Sequence, residues 1–297
     1  MLVAACAILC VLPGGALTSF GWTDPYYTNT VLWYEFSSST NDPTDDSSYL
    51  GTNTGHLAAG GAKPTWTAST NSLSADYYFD GGDYIWAADA DSLSFGNGTN
   101  DKAFSVGVWF RSDRMTNAGL VAKNQGTTGG EYHLTMQGAG ILQFYLIDPS
   151  VSAYLMAQST IPVGRTCCWV HVVGTYNGNG GTNGLGLYLN GKSPASVGRS
   201  KHPSYVAMEN GTQQVTVGVV SRDSPTGARY EKGFLDDVRI YSTNVSASTV
   251  EALFWNTATN YDFSYHDYND RSDWSNTVFV GNFGYDFPAD TSFVGTN

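Results

Sequence analysis

Charge is scarce in this chain of 297 residues. Only 13% of them are Asp, Glu, Lys or Arg, and no Lys or Arg occurs before Lys63. The 14 basic residues are outnumbered by 26 acidic ones, for a formal net charge of −12. Such a surface repels a phosphate backbone, which excludes nucleic acid as a partner. An acidic surface suits solubility and divalent cations. Cysteine is also sparse: Cys6, Cys10, Cys167 and Cys168 form no CxxC pair and no disulfide framework. The adjacent Cys167 and Cys168 would point to opposite sides of a strand. No apolar run is long enough to span a bilayer.

Catalytic patterns are missing as well. His56, His133, His171, His202 and His266 show no HExxH spacing. There is no GxSxG elbow. Glycoside hydrolysis needs two carboxyls roughly 5–10 Å apart. None of Glu35, Glu131, Glu209, Glu231 and Glu251 has the short spacing that would place a pair on one strand. No catalytic residue is therefore assigned, and the chain is read as a non-enzyme.

What the chain does contain is aromatic residues (14%), 34 Gly and 19 Tyr, the composition of a β-protein with tight turns. Short alternating stretches recur. Leu32, Tyr34 and Phe36 share one face of Val31–Phe36. Phe104, Val106, Val108 and Phe110 point inward, while Ser105, Gly107 and Trp109 point outward. Tyr132–Met136, Ile141–Ile147, Trp169–Tyr176, Leu185–Leu189 and Val215–Val219 continue the pattern. Asn190-Gly191 signals a two-residue hairpin, and Asp80-Gly81-Gly82-Asp83 a second tight hairpin turn. Ser246–Asn256 breaks the alternation. A short helix is expected there, capped by Ser246 or Ser248, with Val250, Leu253 and Phe254 on one face. The fold class is all-β, an antiparallel two-sheet sandwich with a short C-terminal helix.

Two stretches organise the chain: YYFDGGDYI, Tyr77–Ile85, and GFLDDVRIY, Gly233–Tyr241. Strand interiors disfavour Asp, so Asp236-Asp237 marks either a bulge or a cation at the sheet rim. With FSVGVWF, WVHVVGTYN and LYLNGK between them, these motifs resemble the laminin-G-like, concanavalin A-like jelly rolls over roughly Val31–Phe254. GWTDPYYTNTVLWYEF followed by DPTDDSS resembles the opening of such proteins as tailed bacteriophages often encode. The resemblance implies neighbouring first and last strands, which would let Asp46, Asn53, Asp236 and Asp237 converge on calcium through oxygen ligands. It also implies sugar binding, which needs an aromatic platform. Trp86, Trp109 and Tyr188 are the candidates, with Trp66 and Tyr145 also at outward positions.

Three segments are expected: an apolar N-terminal arm or signal segment (1–30), the jelly roll (31–258) and an aromatic C-terminal arm (259–297). Leu2–Leu12 has the length of a signal core, but no Lys or Arg precedes it. The functional expectation is a structural or adhesion protein of an extracellular assembly, most concretely a virion subunit with a lectin-like domain. The alternative is a secreted, calcium-dependent carbohydrate-binding module. Neighbouring subunits and cell-surface glycans are the expected partners.

Overall fold

A computed structural model describes residues 23–37, 45–67, 75–124, 130–161, 169–221 and 229–258. The apolar N-terminal segment, all four cysteines and the aromatic C-terminal arm lie outside the described residues. Those described belong to one unit, Met1–Phe263.

Alternating sequences form two antiparallel sheets. One contains β1 (Thr30–Tyr34), β3 (Thr65–Thr67), β4 (Asp76–Asp80), β6 (Phe104–Ser112), β11 (Val170–Tyr176), β12 (Leu185–Leu189) and β15 (Lys232–Tyr241). Its order is β12-β11-β6-β15-β4-β3, with β1 also on β15. The other contains β2 (Gly55–Leu57), β5 (Ile85–Ala87), β7 (Ala118–Asn124), β8 (Gly130–Gln137), β9 (Ile141–Asp148), β10 (Ala153–Thr160), β13 (Gly198–Lys201) and β14 (Val215–Val217). Its order is β13-β10-β9-β8-β7-β14-β5-β2.

The core fills the space between the sheets. Leu32, Tyr34, Phe36, Phe104, Val106, Val108 and Phe110 meet Leu134, Leu142, Phe144 and Leu146, all buried. Burial of this apolar surface is the main stabilising term. Gly174 on β11 lets the sheets close here, because a Cβ would collide with the Phe144 ring.

The expected hairpin at Asp80–Asp83 is corrected. β4 and β5 belong to different sheets, so this turn carries the chain across the sandwich rather than back along one sheet. Positive φ at Gly81 (102°) serves the crossing equally well. At Asn190-Gly191 the two-residue turn is present. Both residues have positive φ, and Leu189 and Lys192 exchange backbone hydrogen bonds of 2.8 and 3.0 Å.

The outer faces differ. Helix α1 (Ala247–Ala258) lies over the seven-stranded sheet. Ser246 Oγ accepts the Thr249 N–H at 3.3 Å, so Ser246 caps it. Val250, Leu253 and Phe254 of α1 are buried against Trp109, Val173 and Tyr241. The outer face of the eight-stranded sheet has no such helix among the described residues.

Candidate ligand-binding site

The first and last strands are neighbours, as the resemblance implied. One edge of β15 pairs with β4 over Lys232–Leu235 and with β1 over Val238–Tyr241. Asp236 and Asp237 fall at the handover, where the register with β6 also slips. Asp237 has φ +47° and donates its N–H to Asp236 Oδ1 at 2.7 Å. The Asp pair therefore makes a bulge.

Asp46, Asn53 and Asp237 do gather around Trp33, but not as metal ligands. Asp46 accepts three backbone N–H groups: Trp33 and Ser48 on Oδ1 (2.9 and 3.0 Å), and Asn53 on Oδ2 (2.9 Å). The Asn53 side-chain amide donates to the Val31 carbonyl (2.6 Å) and Ser92 Oγ (3.1 Å). Asp237 Oδ1 accepts Trp33 Nε1–H (2.7 Å) and Arg239 Nε–H (2.8 Å). The Arg239 guanidinium also stacks 4.0 Å from the Trp33 ring centroid. Among the described residues no three His, Cys, Asp or Glu side chains are placed to hold a metal ion. The donor set does not fit calcium, because a cation here would face N–H groups and a guanidinium.

The three proposed sugar-platform residues part company. Trp109 is fully buried beneath α1, donating Nε1–H to Thr257 Oγ1 at 2.9 Å and stacking on Phe254. It points out of the sheet as expected but offers no face to a sugar, and that assignment is corrected. Tyr188 is half-buried and packs against the cluster under α1. Trp86 is half-buried on the opposite sheet, with its ring 4.4 Å from that of His56.

Trp86 belongs to a row that crosses the entire outer face of the eight-stranded sheet. Residues directly opposite in adjacent strands share a face. The register places His56, Trp86, Thr216, Ala122, His133, Tyr145, Met156 and Ser200 opposite one another in turn. Thr216, Ala122 and His133 in its middle are buried, whereas Trp86, Tyr145 and Met156 are half-exposed.

On the β8–β13 side the aromatics form a ladder. Ring centroids of His133 and Tyr145 are 4.8 Å apart, Tyr145 and Tyr154 5.1 Å, and Tyr154 and His202 6.0 Å. The first two pairs are stacked. Gln143 and Gln158 flank them, joined by a 2.9 Å amide hydrogen bond. Ser204 N–H donates to His202 Nδ1 at 3.2 Å, which leaves the His202 Nε2 edge as a donor. Burial lowers His133 to about 3, with Arg229 adding to the effect, so this ring is neutral. Burial pushes the Tyr145 hydroxyl up to about 12, so it stays protonated as a donor. Sequence reasoning reached Tyr145 by alternation. It missed Tyr154, because the small Ala153 and Ala157 mask the alternation of β10.

A profile of the concanavalin A-like lectin/glucanases superfamily matches residues 79–251. That is more than half of the chain, and the chain belongs to this family. No curated protein matches it in sequence. Among solved structures it resembles the botulinum neurotoxin serotype G binding domain, with TM-score 0.56 and 13% identity over 78% of this chain and 52% of that one. The binding domain of Paraclostridial Mosquitocidal Protein 1 gives TM-score 0.55 and 14% identity over 77% and 52%. The botulinum neurotoxin serotype D ligand binding domain, in complex with N-acetylneuraminic acid, gives 0.54 and 14% over 78% and 52%. The chain thus spans about half the length of these structures, and the likeness is one of fold.

Proposed function

We propose that this chain is a non-catalytic, extracellular binding module that takes a glycan on the outer face of its eight-stranded sheet. The observation that carries the reading is the half-exposed ladder Tyr145–Tyr154–His202, stacked on His133 and flanked by Gln143 and Gln158. Aromatic faces suit the C–H surface of a sugar ring, while amides and hydroxyls at their edge pair with its hydroxyls. Among the described residues, β9 and β10 present Ile, Gln, Tyr, Met and Thr on this face and no carboxylate, so these two strands offer no acid pair for glycoside hydrolysis. Family membership supports a lectin-like role, and one similar fold holds N-acetylneuraminic acid.

The test is a glycan array with the full-length chain, followed by the Tyr145→Ala/Tyr154→Ala pair. Binding that disappears in a variant that still unfolds cooperatively, with its melting temperature lowered by only a few degrees, supports the face. A blank array, or binding untouched by the pair, removes it.

A second reading, a subunit of a virion or another extracellular assembly, is favoured by a different patch. Tyr27, Tyr49 and Leu50 are 40%, 62% and 40% exposed, and the Tyr27 and Tyr49 rings meet edge-on at 5.9 Å. Exposed apolar clusters commonly mark contacts with other chains. Sedimentation of the full-length protein tests it, and a monomer at high concentration would count against it.

A further inference from the structure

Lys123 is fully buried at one end of the eight-stranded sheet, between two carboxylates. Its Nζ lies 2.7 Å from Asp89 Oδ1, 2.6 Å from Glu131 Oε1 and 3.3 Å from the Gly211 carbonyl. The Lys123 and Glu131 side chains are 0% exposed, and that of Asp89 is 34% exposed. Glu131 Oε1 also accepts Ser94 Oγ–H (3.0 Å) and the Gly211 N–H (3.1 Å), while Oε2 has no hydrogen-bond partner among the described residues.

Charges held this way are costly, because desolvation opposes the Coulombic gain. An amine, a carboxyl group and a second carboxyl able to move a proton are nonetheless held within hydrogen-bond reach. That is the arrangement in which intramolecular reactions gain most from orientation. We propose that Lys123 and Asp89 condense into an intramolecular isopeptide bond, with Glu131 as the catalytic proton carrier.

Glu131 takes a proton from the Lys123 ammonium, leaving a neutral amine. The Nζ lone pair attacks Asp89 Cγ, forming the C–N bond. The Cγ–O bond then breaks. Glu131 returns its proton to the departing oxygen, which takes a second proton from Nζ and leaves as water. An ammonium and a carboxylate become one neutral amide plus one water, and Glu131 ends as it began. Asp89 is the electrophile because it is the more lightly held carboxyl and its partial exposure lets the water out. Glu131 is pinned by three donors. Burial raises its carboxyl above the ordinary range against the opposing Lys123 charge, which suits it to accept a proton.

The product would lock the loop after β5 to strand β7 covalently.

Intact-mass spectrometry of the reduced, denatured full-length chain tests the proposal. A mass one water below that of the sequence is expected, together with a branched peptide joining the segments of Lys123 and Asp89 after digestion. Lys123→Met and Glu131→Gln should each restore the full mass. Asp89→Asn should keep the branch but lose ammonia instead of water, a signature that misfolding cannot imitate. The full sequence mass in the parent chain would overturn the proposal. So would a deficit that persists in Lys123→Met, which would point to a cyclic imide such as Asp80-Gly81 can form.

Discussion

The indole of Trp33 donates to Asp237 Oδ1 at 2.7 Å across 204 positions of sequence. This bond closes the junction between β1 and the bulge of β15, and Arg239 Nε–H meets the same oxygen at 2.8 Å. Asp24 extends the network, accepting the Tyr241 hydroxyl at 2.8 Å and facing Arg239 Nη1 at 3.5 Å.

Trp33→Phe keeps an aromatic ring under the Arg239 guanidinium but removes the donor to Asp237. A hydrogen bond to a charged, largely buried acceptor is worth about 1.5–3 kcal/mol. Urea unfolding should show a loss of that size. A change below about 0.5 kcal/mol would mean that Arg239 alone satisfies the carboxylate.

Asp46 carries the loop after β1 through three backbone N–H groups. These donors already balance its charge, so EDTA is expected to leave the melting temperature unchanged. Asp46→Ala should lower stability by about 1–3 kcal/mol, because it leaves N–H groups unpaired. A melting temperature that falls in EDTA and recovers with calcium would reverse this account of the loop.

Much of the fold was legible because alternation is a local signal. The inward set Phe104, Val106, Val108 and Phe110 is buried as the pattern requires. The pairing of first and last strands follows from the family resemblance, and a bulge is one of the two readings that Asp236-Asp237 allows. The rest depends on which elements meet in space. Alternation gives Trp109 an outward direction but cannot reveal that α1, nearly 140 residues later, roofs it. The Asp80–Asp83 turn has hairpin chemistry, yet nothing local tells which sheet receives the next strand. The ladder draws on three strands and the loop after β13, and its register is a tertiary fact.

Glu231 is fully buried, and neither carboxyl oxygen has a hydrogen-bond partner among the described residues. The nearby Ser112 hydroxyl donates instead to the Arg114 carbonyl at 2.7 Å. Burial raises the Glu231 carboxyl from 4.5 to about 8, and the nearby Ser112 hydroxyl and Arg114 charge do not offset it. Between those values the folded chain keeps a proton that the unfolded chain releases. Stability contributed by the neutral acid is thus complete below 4.5 and is lost as pH rises toward 8, by at most ~1.4 kcal/mol per pH unit. Glu231→Gln should flatten this slope and stabilise the protein at pH 8. Parallel pH–stability curves for parent and variant would show that Glu231 does not titrate in this window.

Trp109 and Tyr145 both point outward from their sheets, and they should respond oppositely to substitution. Trp109→Ala opens a cavity beneath α1 and removes the partner of Thr257, so a loss of about 3–5 kcal/mol is expected. Trp109→Phe, which keeps the stack on Phe254, should cost less and leave glycan binding intact. Tyr145→Ala removes one ring from a half-exposed ladder, at a stability cost of about 1 kcal/mol. It should nevertheless abolish most binding, because the platform between His133 and Tyr154 is gone. Melting curves and one binding isotherm per variant separate the two roles. If Trp109→Phe lost the ligand while Tyr145→Ala retained it, the binding surface would have to be sought on the α1 side of the sandwich.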